Sequence, residues 1–377
     1  MKTAIEVIGK LKSAGFEAYL VGGAVRDFLI GKDPKDFDVA TSADPIQVKE
    51  LFSRTVDTGI QHGTVLVLIN GTGVEVTTFR TESGYSDNRR PDSVEFVKSL
   101  DEDLKRRDFT INAMAMTEDL KVVDLFGGRK DLDEKIIRAV GEPDLRFQED
   151  ALRMLRAVRF SGQLDFSIDD YTLASIRNNA HLIRAIAVER LKLEMDKIMS
   201  NEHAVRSINY LVSSGLAEHM PAGDLFKADW SGFVPSADPL NGWLYAIWKN
   251  REDVSAISTY KLSNDEKIAL TKSLEATLMD SWDEWILYSF TARQLNLAAR
   301  IKKAEENWPL KKSELPIKSK SDLAVNGKNL IEWTGNKAGP WLKEALGEIE
   351  RQVVSGKLQN DKEKIKDWFF DEYYRNE

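Results

Sequence analysis

The spacing of apolar residues changes once along this 377-residue chain, near position 145, and that change limits the fold more than any other feature. Upstream, short apolar runs are punctuated by turn signals. Residues 18–25 (AYLVGGAV), 37–42, 64–69 (TVLVLI), 74–79, 94–97 and 109–116 have strand character, and Gly127-Gly128 marks a turn. Asn70-Gly71 between two of these runs is a hairpin signal. Downstream, 148–161, 170–178, 186–200 and 203–213 space their apolar residues as helices do, and little strand signal follows. Residues 216–240 hold three prolines and two glycines and read as a loop-rich join. Residues 307–322 read as a hinge before a last helical block over about 327–373. The expected class is α+β, with a mixed head followed by an all-helical remainder.

Composition narrows the function. Apolar residues make up 42%, enough for a real core, and no run of 18 apolar residues could span a membrane. The N-terminus reads as an amphipathic helix entering a strand rather than as a signal peptide, which makes the cytoplasm the expected location. With no cysteine, thiolate catalysis, disulfides and Cys-ligated zinc are excluded. A net charge of −8 speaks at first against a nucleic-acid partner. Charge is uneven, however: residues 301–328 carry seven basic and four acidic side chains. A local basic strip can bind phosphates on an anionic molecule, so charge alone decides nothing.

The richest segment is LVGGAVRD, residues 20–27, followed by Asp36-Phe37-Asp38. On a strand, Asp36 and Asp38 share a face while Phe37 points away. Two adjacent hard carboxylates suit an oxygen-loving divalent cation such as Mg²⁺. Gly22 and Gly23 let backbone amides approach an anion, and Arg26 adds a fixed positive charge. A lone D-x-D is usually a solvated strand edge, and a Gly pair usually a tight turn. Their combination within 17 residues describes a site for a metal-bound triphosphate.

GGAVRDFLIGKDPKDFDVAT resembles the signature of the polymerase-β-like nucleotidyltransferase superfamily, in its class II tRNA nucleotidyltransferase and bacterial poly(A) polymerase branch. RRDFTINA (106–113) resembles the second motif of that family, and EDALR (149–153) its E-D-x-x-R motif. The resemblance implies a nucleotidyltransferase head over 1–144, then an elongated helical neck (145–205), body (206–300) and tail (301–377), the tail binding tRNA. It implies that Asp36 and Asp38 hold two Mg²⁺ ions and that Gly23 and Arg26 meet the nucleotide's phosphates. Glu75 is a candidate third carboxylate, equally readable as an exposed strand residue. Arg107 matches a nucleotide-binding arginine, and Asp108 and Asn112 beside it would read the ribose or brace the site.

Asp150 and Arg153, three apart on an expected helix, would share one face. The plain reading is a surface salt bridge. The sharper one is chemical: a carboxylate accepts from the exocyclic amine of cytosine or adenine, and a guanidinium donates to the ring acceptors beside it. Uracil and guanine would turn a carbonyl toward Asp150 and be repelled. The family assigns its motif this base-reading role, with Arg156 and Arg159 as further nucleotide contacts and Glu149 as a brace. Expected substrates are therefore CTP, ATP and tRNA, with no membrane and no protein partner implied. The GxxxGTV spacing over 59–65 resembles the tRNA enzymes rather than the poly(A) polymerases, and complete CCA addition is favoured over A-only addition mainly because it is the commoner activity. Residues 80–92 (RTESGYSDNRRPD) resemble the flexible loop that CCA- and A-adding members need. No histidine is followed by Asp, so the phosphohydrolase domain of some relatives is not expected. Trp230, Trp243 and Trp333 are read mainly as core, with RNA stacking as the alternative.

Overall fold

The computed structural model describes residues 1–59, 63–83, 93–97, 99–280, 282–304 and 307–374. The chain forms two compact units, divided essentially at residue 231: the first adds 235–239 and 259–261, and the second takes 232–234 and the remainder.

The first unit is built on helix α1 (Lys2–Ser13), β1 (Ala18–Val21), α2 (Gly23–Leu29), β2 (Asp38–Thr41), α3 (Pro45–Leu51), β3 (Thr55–Gly59), β4 (Thr64–Ile69) and β5 (Thr72–Thr78). Then come β6 (Arg80–Ser83), β7 (Ser93–Phe96), α4 (Leu100–Lys105), β8 (Met114–Met116), β9 (Val122–Asp124) and α5 (Gly128–Asp133). Seven strands form one mixed sheet in the order β3-β4-β5-β2-β1-β8-β9, in which only β2 and β5 run parallel. Asn70 and Gly71 both have positive φ, 51° and 76°, and close the β4–β5 hairpin with Ile69 opposite Thr72. That is the backbone of a two-residue turn matched to strand twist. Ala4, Val7, Ile8 and Leu11 lie on one buried stripe of α1, and Val65, Val67, Val74 and Val76 on one buried face of the hairpin.

Two strand expectations need correction. The run 109–116 is a strand only over β8; Thr110–Asn112 is a 3₁₀ turn. β2 starts at Asp38, so Asp36 lies in the bend before it rather than on the strand. The ladder still reaches this bend, because Glu75 N–H donates to Phe37 O at 3.1 Å. Among the described residues downstream of 145 strand is as scarce as expected, with one short element: β11 (Ser167–Ile168) pairs in parallel with β10 (Ile136–Ile137). β6 and β7 pair as a separate ribbon at the two ends of the 80–92 segment, whose residues 84–92 lie outside those described, as does His62.

Five helices complete the unit: α6 (Pro143–Glu149), α7 (Leu152–Leu164), α8 (Asp170–Asn179), α9 (Val188–Met199) and α10 (Ala204–Ser213). The single helix expected over 148–161 is two. Asp150, with φ −142° and ψ 101°, breaks it. An Asp side chain competes with the backbone for local hydrogen bonds, and Asp150 Oδ1 accepts from Leu152 N–H at 3.1 Å, capping the new helix. Helices α7 and α10 pack so closely at Gly162 that a β-carbon there would lie 2.3 Å from Ser207 Oγ and 2.8 Å from His203 O.

The second unit is helical: α11 (Leu240–Asn250), α12 (Asn264–Thr277), α13 (Glu284–Ser289), α14 (Ala292–Lys302), α15 (Trp308–Glu314), α16 (Gly327–Thr334), α17 (Trp341–Val354) and α18 (Lys362–Trp368). Ser263 with Glu266, and Thr291 with Gln294, form capping boxes that start α12 and α14. The expected hinge at 307–322 instead contains α15, whose Trp308 is buried and stacks on Trp282 with centroids 3.6 Å apart. Trp230 and Trp243 are core residues and Trp333 packs against the Leu330–Phe369 cluster, consistent with packing rather than stacking on RNA. All nine tryptophans lie at or beyond position 230.

Candidate nucleotide-binding site

The start of β2, the turn into α2 and one flank of α7 surround a cavity of about 570 Å³ in the first unit, within the range of small-molecule sites. Each expected site residue lines it: Gly23, Arg26, Asp36, Asp38, Arg107, Asp150, Arg153, Arg156 and Arg159.

At the sheet end, Asp38 sits between Val21 of β1 and Glu75 of β5. Burial and the negative charges of Glu75 and Asp36 push its carboxyl above the ordinary value, with Arg107 opposing them. Gly22, at φ +70°, is a position where a side chain would be strained. A β-carbon there would lie 3.0 Å from Arg107 Nη1 and 3.8 Å from Asp38 Oδ2, so the glycine leaves these two charges room to face each other. A half-buried carboxylate crowded by like charge is a place that a hard divalent cation stabilises. Among the described residues no three or more His, Cys, Asp or Glu side chains converge as a metal cage. Asp36 and Asp38 therefore fit an ion that takes its other oxygens from phosphate and water, as Mg²⁺ does. Glu75 is exposed and acts on Asp38 through its charge.

A polar network carries the site from the sheet to α7. Arg26 donates through Nε and Nη2 to Asp27 Oδ1 (2.9 and 2.7 Å) and through Nη1 to Asn112 Oδ1 at 2.8 Å. Asn112 in turn donates to Asp108 Oδ1 at 3.1 Å, and Arg156 donates twice to Asp108 Oδ2, at 2.8 and 2.5 Å. Burial alone would raise the Asp108 carboxyl. The Arg156 guanidinium and the Asn112 hydrogen bond more than offset it and hold Asp108 far below the ordinary carboxylate range. Asp108 and Asn112 thus link Arg26 to Arg156. Phe160 lies beneath, with the guanidinium carbons of Arg159, Arg26 and Arg156 at 3.9, 5.3 and 5.5 Å from its ring centroid. Cations over a ring face are stabilised without consuming a counter-charge.

Asp150 and Arg153 reach the cavity differently from the expectation, since Asp150 precedes α7 rather than sharing a helix face with Arg153. Their side chains bond other partners, although Arg153 N–H donates to Asp150 O at 2.9 Å. Arg153 Nη1 donates to Glu149 Oε2 at 2.7 Å and Nη2 to Arg106 O at 3.0 Å, so Glu149 is the expected brace. Asp150 is held by Arg190 of α9, Nη2 to Oδ2 at 2.8 Å and Nη1 to Oδ1 at 3.3 Å. Arg159 donates to the buried Glu194 at 2.6 Å, also on α9.

Sequence reading missed Arg190, Glu194, Asp103 and Phe160. Asp103 is 1% exposed and is bonded by Arg106 (2.6 Å) and Arg107 (3.0 Å). Within DEDLKRRD it looks like one member of a solvated charge run. Arg190 and Glu194 have the i, i+4 spacing of an ordinary surface pair, and only the burial of Glu194 and the bond from Arg190 to Asp150 separate them from one. Seven arginines and four aspartates line the cavity, which is therefore cationic although the chain is anionic.

A mixed sheet presenting carboxylates beside a glycine turn, closed over by an arginine-rich helix, defines a nucleotidyltransferase. The Poly A polymerase head domain model matches residues 18–138, and tRNA nucleotidyltransferase domain 2 matches 243–369. The chain is 44% identical to the CCA-adding enzyme of Levilactobacillus brevis over 94% of each chain, and 42% identical to that of Geobacillus thermodenitrificans over 98% of this chain and 96% of the other. The crystal structure of the Bacillus stearothermophilus CCA-adding enzyme in complex with CTP matches with a TM-score of 0.87 at 38% identity, covering 100% of this chain and 98% of that one. This chain belongs to the family of CCA-adding enzymes.

Proposed function

We propose that this chain builds the CCA end of tRNA from CTP and ATP, without a nucleic-acid template and with release of pyrophosphate, in the cytoplasm. The observation that carries the reading is a single cavity holding both the carboxylates and an Asp/Arg pair suited to cytosine and adenine. Likeness over nearly the whole length to proteins named CCA-adding enzymes supports complete CCA addition over A-only addition or poly(A) tailing.

In this reading Asp36 and Asp38 hold two Mg²⁺ ions. When bound, such ions acidify an attacking 3′-hydroxyl and neutralise departing pyrophosphate. The chain's own residues do the rest. Gly23 lets the triphosphate approach the backbone, and Arg26 and Arg107 supply positive charge fixed by Asn112 and Asp103. Arg156 and Arg159 extend that charge along α7. Asp150 accepts from the N4 amine of cytosine or the N6 amine of adenine, while Arg153 donates to the neighbouring ring acceptor. Uracil and guanine place a carbonyl against Asp150, which leaves two acceptors facing each other. The tail, 301–377, would contribute to holding tRNA.

The test is incorporation of labelled nucleotides into tRNA transcripts ending before CCA, after the first C, and after CC. The expected products gain C-C-A, C-A and A respectively. Extension by A alone on all three transcripts, or long A tails, would overturn the reading.

A further inference from the structure

The reading carboxylate is anchored only in part by its own motif. Asp150 lies at the break between α6 and α7, where its N–H still bonds Arg146 O at 3.3 Å but backbone bonding leaves the carboxylate free to turn. Torsion about the last bond of an Asp side chain is broad, so a carboxylate tied at one oxygen can turn. Leu152 N–H makes one such tie, to Oδ1 at 3.1 Å. The second comes from α9, where Arg190 meets both oxygens, Nη2–Oδ2 at 2.8 Å and Nη1–Oδ1 at 3.3 Å. A two-pronged guanidinium–carboxylate pair fixes the carboxylate plane as well as its distance. Three acceptor directions of Asp150 are thereby occupied, and the plane it turns to the cavity is set by a residue 40 positions away.

We propose that Arg190 is a specificity-determining positioning residue, which fixes the plane of the Asp150 carboxylate so that it meets an exocyclic amine and excludes a carbonyl. The inference rests on the base-reading role of Asp150. Arg190 also lines the cavity, so its action through Asp150 must be separated from direct contact with a nucleotide. Lysine can replace the charge but not the fork, because an ammonium is a point donor.

The experiment compares the parent with Arg190→Ala, Arg190→Lys, Asp150→Ala and the Arg190→Ala/Asp150→Ala double variant. It measures kcat/KM for CTP, ATP, UTP and GTP on tRNA lacking CCA, with melting temperatures alongside. Arg190→Ala is expected to lower the CTP-over-UTP preference by about tenfold, with Arg190→Lys recovering only part of it. The double variant should discriminate no worse than Asp150→Ala, because a residue acting only through another adds nothing once that one is gone. Unchanged discrimination in a folded Arg190→Ala, beside a relaxed Asp150→Ala, would overturn this inference alone. Additive losses in the double variant would also overturn it, by making Arg190 a direct substrate contact. Unchanged discrimination in Asp150→Ala itself would instead remove the base-reading role.

Discussion

Asp38 is expensive to keep ionised, since burial and the neighbouring carboxylates both disfavour its charge. Asp38→Asn should abolish nucleotide addition yet melt no lower than the parent without metal, the usual trade between stability and function at a strained site. Thermal melts in chelator, run beside activity assays, check both halves. Asp150 and Arg153 divide the work of base choice, so their losses should differ. Asp150→Ala should relax rejection of UTP and GTP, whereas Arg153→Ala should weaken CTP and ATP alike, by about tenfold to a hundredfold for a charge-assisted hydrogen bond. Competition among the four nucleotides distinguishes these outcomes from a surface salt bridge, which would leave base choice unaltered. At this scale the sequence was informative wherever chemistry is local. Asp36, Asp38, Arg26 and Arg153 stand in short motifs and line one cavity. Arg190 and Asp103 were hidden because their partners are fixed by packing, and nothing in a charged helix distinguishes a buried member from a solvated one.

Helix breaks and close approaches are harder to read than periodicity. The Asn70-Gly71 hairpin was readable because two residues encode its geometry. The α6–α7 break was not, because apolar spacing runs through Asp150 without interruption and only the side-chain bond to Leu152 N–H marks the new start. Likewise Gly162 gives no sequence sign that α10 presses against it. Gly162→Ala should therefore destabilise the first unit by about 1–3 kcal/mol, although alanine is the better helix former, because the overlap with Ser207 and the His203 carbonyl must be relieved by shifting α10. A higher melting temperature in this variant would show that α10 yields freely. The α15 helix was read as hinge because its proline and lysines conceal one buried tryptophan.

Across the molecule, buried carboxylates link stability to pH. Despite the opposing effect of burial, arginine partners hold Asp103, Asp108 and Glu194 below their ordinary values. Their contribution is complete above the unfolded carboxylate range, near pH 4, and is lost as pH falls through the lower folded values. Asp108→Asn should cost about 2–3 kcal/mol at neutral pH, less than a fully buried pair because Arg156 is a third exposed, and its deficit against the parent should narrow toward pH 3. Circular dichroism melts at several pH values measure this. The choice of probe matters because of where the tryptophans fall. With none before position 230, the sheet, the cavity and α7 emit no indole light. Fluorescence under indole-selective excitation follows Trp230 of the first unit and eight tryptophans of the second, so a denaturation curve read that way is weighted away from the nucleotide site. The same darkness is an opportunity: a single tryptophan introduced beside the cavity would report from it with all native emission arising at or beyond position 230.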